Sequence, residues 1–271
     1  MDARQTHLAS LLKTLEVLKL YLTDIVIIGG WVPLLYRMYG KLPCRHPTLL
    51  TRDIDVAVPR KLKESGRPTI DALLCEAGYK ARFYGSEPAP VTKYELSLPV
   101  TEVEFLTPEV GRPGKPSLVV QQGLTAQALR YLPILLENTL QIRVADSLPG
   151  LKVDLNVQVP SPAAFIYQKG LALPNRRSKI AKDLYYIFDL LDSSSESRDS
   201  IVSDLAILRG SYRDSWFKAF LRNLEQYFPE SNAEGQILVA SQYTGMMPEP
   251  TFRLYTHRVF RDFTQALREL S

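Results

Sequence analysis

Two aspartates one residue apart, Asp53 and Asp55, stand in the run Asp53-Ile-Asp-Val-Ala-Val58. On an extended strand, alternate side chains point the same way, so both carboxylates share a face. Side by side and unpaired they repel, and one of them must shift its pKa. A divalent cation removes that conflict, and hard carboxylate oxygens suit Mg2+, or Mn2+ in its place. Upstream, Asp24-Ile-Val-Ile-Ile-Gly-Gly30 ends four consecutive β-branched residues on a glycine pair. A glycine turn that feeds a helix presents backbone N–H groups to phosphate oxygens. Metal carboxylates and a phosphate cradle are together the parts of phosphoryl or nucleotidyl transfer.

The elements that must hold these residues follow from periodicity. Leu8, Leu11, Leu12, Leu15 and Leu18 recur at helical steps, giving a helix over residues 5–20. Residues 25–28 make a short buried strand, residues 31–39 a helix with Pro33 in its first turn, and residues 53–58 a second strand. A helix over 68–77 stops at Gly78. Strands are expected over 79–84, 92–98 and 102–106, with Pro99 marking an antiparallel turn and residues 107–117 a loop. Residues 118–159 read as mostly extended, and 124–138 stays ambiguous between helix and strand because Pro133 interrupts it. From Pro160 the pattern becomes helical. Ser161-Pro162 is an N-cap and first-turn pair opening a helix to about residue 171. Further helices are expected over 179–191, 198–208, 213–228 and 250–269. The fold class is therefore α+β: a mixed, mostly antiparallel sheet flanked by helices in residues 1–159, then an all-helical domain in residues 160–271.

At the glycine pair and the Asp-x-Asp strand the chain resembles the nucleotidyltransferase superfamily of the DNA polymerase β type. The matching residues are Ile27-Ile-Gly-Gly-Trp31 and Arg52-Asp-Ile-Asp-Val56. The resemblance implies that Asp53 and Asp55 ligate metal and that Gly29 and Gly30 contact the nucleotide. It also implies a third carboxylate on a neighbouring strand. Glu104 is the candidate and Asp154, in Lys152-Val-Asp-Leu-Asn-Val157, the alternative. A second stretch, Val159 to Lys169, Arg176-Arg177 and Lys182-Asp-Leu-Tyr-Tyr-Ile-Phe-Asp189, resembles the AbiEii-type nucleotidyltransferases. That group includes toxins of type IV toxin–antitoxin systems, some of which add nucleotides to tRNA. It implies a site role in catalysis and nucleotide binding for Lys169 and Asp183, which would face Asp53, Asp55 and Glu104 across a cleft. The chain departs from the superfamily in one respect. Residues 31–52 separate the second glycine from the first aspartate, a longer connection than usual, and they hold Lys41, Arg45 and His46.

Each of these residues also has an ordinary reading. Glu104 can be an exposed strand glutamate paired with Lys93 or beside Glu102. Lys169 can be a solvated helix lysine, and Asp183 can pair with Lys179 four residues back. Arg176, Arg177, Lys179 and Lys182 can form a solvated face or hold RNA phosphates. Trp31, Tyr185 and Tyr186 read as packing residues. Composition narrows the field without choosing. Charged residues make up 23% of the chain and the net charge is +4, and neither half is a basic arm of the sort that dominates DNA binding. No apolar run reaches the length of a membrane span. Cys44 and Cys75 form neither a metal spacing nor a disulfide framework, which suits the cytoplasm. The expected activity is Mg2+-dependent transfer of a nucleoside monophosphate from a triphosphate to an acceptor hydroxyl, by a toxin-like enzyme acting on RNA or tRNA and countered by a cognate antitoxin. A small-molecule acceptor such as an aminoglycoside, or a non-catalytic nucleotide-binding module, are the competing expectations.

Overall fold

The computed structural model describes residues 3–43, 45–63, 66–85, 90–97, 100–109, 116–193 and 195–270. The expected turn at Pro99, most of the 107–117 loop, Cys44 and the side chain of Arg177 lie outside the described residues. The chain forms two compact units. One comprises Met1–Lys41 and Leu50–Pro160; the other comprises Leu42–Leu49 and Ser161–Ser271. Residues 42–49, in the long connection before Asp53, thus belong with the helices.

The first unit opens on α1 (Ala3–Val17), which packs its leucines inward: Leu11, Leu12, Leu15 and Leu18 are all fully buried. Then follow β1 (Val26–Ile28), α2 (Trp31–Met38), β2 (Asp53–Ala57), α3 (Ile70–Glu76), β3 (Lys80–Tyr84), β4 (Val91–Ser97) and β5 (Val100–Pro108). Next come β6 (Ser117–Gln121), β7 (Leu124–Leu129), α4 (Leu132–Glu137), β8 (Thr139–Leu148) and β9 (Leu151–Pro160). The ambiguous stretch around Pro133 holds both alternatives: a strand to Leu129, then a short helix with Pro133 in its first turn, where a missing N–H costs nothing.

Strand order across the main sheet is β1-β2-β5-β4-β3, with β7 and β6 added beyond the far end of β5. β2 and β5 run parallel; β1–β2, β4–β5, β3–β4 and β6–β7 are antiparallel. β8 and β9 form a separate antiparallel ribbon.

Alternation decides the two faces. Ile54, Val56, Val103, Phe105 and Tyr94 are fully buried on one face. Asp53, Asp55, Glu102, Glu104, Lys93 and Glu95, the residues between them, stay partly or fully exposed on the other. That second face is not polar throughout. Ala57 and Leu106 lie further along β2 and β5 and form a core with Val26, Ile28, Leu132 and Leu135. Helix α4 therefore covers one half of the face and leaves the carboxylate half uncovered by it.

The second unit is built from α5 (Pro162–Ala172), α6 (Ile180–Leu191), α7 (Ser195–Ser211), α8 (Asp214–Tyr227), α9 (Glu234–Ala240) and α10 (Glu249–Leu270). Ser161 caps α5, its hydroxyl accepting from Ala164 N at 3.2 Å. Helix α6 is the hub, packed against α5, α7, α9 and α10. Nearly its whole circumference is buried, since all residues from Asp183 to Leu191 are buried. A helix apolar all round sits in the middle of a bundle. Helix α9, which the sequence reading passed over, completes the unit.

Candidate active site

The turn between β1 and α2 is fixed by geometry that only glycine tolerates. Gly29 has φ +72°, a left-handed conformation that costs a side-chain-bearing residue about 1–2 kcal/mol. It also has no room for one. A Cβ on Gly29 would lie 2.8 Å from Asp55 Cγ and closer still to the carboxylate oxygen Oδ2. The antiparallel register Ile28↔Asp55 brings them together. Gly30 then takes the N-cap position of α2 with ordinary helical dihedrals and no side-chain cap. The first glycine is thus demanded by Asp55; in the first turn of α2, Val32 N donates to Gly29 O at 3.4 Å and Pro33 has no N–H, so the turn's other N–H groups are those of Gly30 and Trp31.

The parallel register Asp53↔Glu102 and Asp55↔Glu104 sets four acidic residues as a two-by-two block on one face. Neighbouring strands lie ~4.8 Å apart, so the block is dense in negative charge. Continuing across the sheet, Lys93 pairs with Glu104 and Glu95 with Glu102, then Arg82 with Lys93 and Lys80 with Glu95. Lys93 Nζ donates to Glu102 Oε1 at 3.0 Å and to Glu104 Oε1 in a shorter contact. Burial works to lower the Lys93 pKa, but its hydrogen bonds to Glu104 and Glu102 outweigh this and hold it above its ordinary value. Burial, then the hydrogen bond with Glu104, raises the Glu102 carboxyl above the usual range although Lys93 opposes this. The alternative reading of Glu104 as a partner of Lys93 is therefore the arrangement observed.

Asp53 and Asp55 fit a hard divalent ion. Mg2+ is commonly held by one or two carboxylates and completes its octahedron with water and substrate phosphates. Among the described residues no group of three or more His, Cys, Asp or Glu side chains is placed to hold a metal ion. Asp154 lies on β9 of the separate ribbon, exposed, with Arg143 Nε and Nη2 donating to its two oxygens at 2.8 and 2.7 Å. The Arg143 hydrogen bonds hold its carboxyl below the usual range.

In the helical unit, Lys169 and Asp183 come together. Lys169 Nζ donates to Asp183 Oδ1 at 2.6 Å, and the other carboxylate oxygen lies 2.9 Å from Arg176 Nε, an ion pair without hydrogen-bond alignment. The lysine is 4% exposed and the aspartate 1%. Asp183 thus pairs across helices rather than with Lys179. Lys182 lies over the Tyr186 ring at 5.7 Å, and Trp31, Tyr185 and Tyr186 are buried packing residues.

The connection before Asp53 shows a contact the sequence did not disclose. His46 Nε2 is 2.6 Å from Asp192 Oδ2, both buried, and the His46 ring packs on Phe188. Tyr255 donates to the other oxygen of Asp192, and Tyr185 donates to Pro47 O at 2.6 Å. Residues 42–49 are therefore fastened to α6. A lone histidine 146 positions from its aspartate carries no local signal.

Residues 6–206 match the nucleotidyltransferase family model. The chain belongs to the nucleotidyltransferase family. The match covers well over half of the 271 residues and takes in Asp53, Asp55, Glu104, Lys169 and Asp183 alike. No curated protein and no solved structure matches the chain. This nucleotidyltransferase uses a nucleotide substrate, and among its described residues no helix is long and apolar enough to cross a membrane.

Proposed function

We propose that this nucleotidyltransferase transfers a nucleoside monophosphate from a nucleoside triphosphate to a hydroxyl of RNA, a tRNA end being the acceptor the AbiEii resemblance favours, and that it acts as a toxin-like enzyme. The observation that carries the reading is the closure of Gly29 on Asp55. It sets the glycine turn and the strand of the two aspartates against each other. Asp53 and Asp55 would hold Mg2+, or Mn2+ in its place, and the ion would supply charge to orient the triphosphate and lower the pKa of the acceptor hydroxyl.

The remaining work falls to the chain. Gly29 keeps Asp55 in place without a side chain in the way. The first turn of α2 directs backbone N–H groups at phosphate oxygens. The hydroxyl oxygen gives up its proton to solvent and bonds to the α-phosphorus in line, the bridging bond to the β-phosphate breaks, and pyrophosphate leaves. Lys80 and Arg82, at the β3 end of the same side-chain rows, support a polyanionic acceptor, and Tyr84, two residues on from Arg82 on the same face, is exposed aromatic surface on which a base can stack.

The test is incubation with each α-labelled triphosphate, Mg2+ and total RNA, followed by sizing of the product. A labelled RNA species is expected, absent with Asp55→Asn, together with growth arrest on expression that the same substitution relieves. Label that reaches an aminoglycoside but never RNA would overturn the acceptor assignment. Absence of Mg2+-dependent triphosphate binding in calorimetry would leave only a binding module and sink the catalytic reading.

A further inference from the structure

Phosphoryl-transfer sites that use two metal ions need enough carboxylate oxygens for both. The block formed by Asp53, Asp55, Glu102 and Glu104 has them, by count. Glu102 and Glu104 share a lysine. Lys93 Nζ holds Glu102 Oε1 at 3.0 Å and Glu104 Oε1 more tightly. The lysine is not a visitor from a flexible loop. It lies in the middle of β4, in register with Glu104, and its ammonium also lies 4.9 Å from the centre of the Tyr84 ring. Its side chain is only 23% exposed, against 27% and 21% for the two glutamates. That matches the absence of any three-donor metal cluster among the described residues: the third carboxylate expected from the resemblance is occupied by the protein's own cation.

We propose that Lys93 is a built-in second cation, so that this enzyme loads one divalent ion, on Asp53 and Asp55, and uses the Lys93 ammonium on Glu102 and Glu104 where a two-ion site would load another. The charges are consistent with this. Four carboxylates carry four negative charges, and a lysine with one divalent ion leaves one, against two left by the divalent ion alone. A second divalent ion must first displace an ammonium held by two hydrogen bonds to ionised acceptors, the strong kind. On this view Glu104 is a partner of Lys93 in the working enzyme and not a metal ligand.

The inference rests on the reading of Asp53 and Asp55 as metal ligands, and titration with Mn2+ tests the two separately. Bound Mn2+ is counted by electron paramagnetic resonance, with a non-hydrolysable triphosphate analogue present. The wild-type chain is expected to bind one Mn2+, Lys93→Met two, Lys93→Arg one, and Asp55→Asn none. Two ions on the wild-type chain would overturn the inference, and this measurement needs no variant to fold. One ion on a Lys93→Met chain that melts like the wild type would overturn it as well. Loss of the ion in Asp55→Asn with those results means that only the role of Lys93 has failed. An ion retained in Asp55→Asn means that the underlying metal reading has failed.

Discussion

The two units each contain a lysine held by carboxylates, and the two clusters differ in almost everything except their chemistry. Lys93 joins two glutamates of a neighbouring strand, and all three side chains keep between a fifth and a third of their surface in solvent. Lys169 joins one aspartate of a neighbouring helix, that aspartate also faces Arg176, and the lysine and aspartate are at most 5% exposed. Desolvation separates the roles. A cluster kept partly in solvent stays within reach of substrate, and its net contribution to stability is small. A pair taken out of water has paid to get there, and removing either member strands the other charge. The sheet cluster is therefore read as part of a working surface, and the helical cluster as a clamp between α5 and α6.

The sharpest way to break this comparison is to strike the working surface at its centre. Asp55→Asn should lower transfer of labelled nucleotide by on the order of 10³-fold, since a lost metal contact is worth several kcal/mol in the transition state. Its thermal melt should match that of the wild type, because the residue is not part of the core. Normal transfer by this variant would remove Asp55 from the site.

Next in size is the clamp. Lys169→Met and Asp183→Asn should each destabilise the chain by about 3–5 kcal/mol in urea titration, the usual cost of leaving a buried charge without its partner. The double variant should lose clearly less than the sum. If instead the melts hold and triphosphate affinity falls, Lys169 belongs to nucleotide binding, as the AbiEii resemblance implies, and the contrast between the clusters disappears.

Gly29→Ala should have a mixed and smaller effect. Its positive φ and the contact with Asp55 predict a loss of about 1–2 kcal/mol in stability. Displacement of the carboxylate should lower transfer by about 10²-fold, the scale of a 1 Å misplacement at a reacting centre. Unchanged kinetics would mean that Asp55 is free to move without consequence.

The sequence carried the parts of this picture that depend on short-range pattern. The β-branched run, the glycine pair and Asp53-x-Asp55 are local, and the strands and turn fell where alternation and φ requirements put them. The Ser161-Pro162 helix start was legible because a cap and a first-turn proline act within three residues. What stayed hidden depends on which strand lies beside which. That β2 and β5 run parallel, with Asp55 opposite Glu104, is a register no local pattern encodes. Lys93 was legible only as one possible partner of Glu104. The bond from His46 to Asp192 joins residues 146 positions apart, and the burial of Lys169 depends on a helix bundle assembled around α6. Polar residues in a buried helix give no periodic signal of their own, so the burial of Asp183 and Asp189 was not legible.

The smallest effect is expected at Asp154, and it separates the two candidates for a third carboxylate. Asp154 is exposed on the β8–β9 ribbon with both oxygens taken by Arg143. Exposed pairs of this kind contribute little, so Asp154→Asn should transfer nucleotide at the wild-type rate and bind Mn2+ with unchanged stoichiometry. Its pH behaviour follows in sign. The Arg143 hydrogen bonds lower the folded-state pKa of Asp154, so the pair adds what stability it has above the ordinary carboxylate range and loses it as pH falls through the depressed value. In acid melts the variant should therefore converge on the wild type, with only a slight difference near neutrality. A large loss of transfer in Asp154→Asn would instead move the third carboxylate from the sheet to the ribbon and leave Lys93 and Glu104 as a surface ion pair.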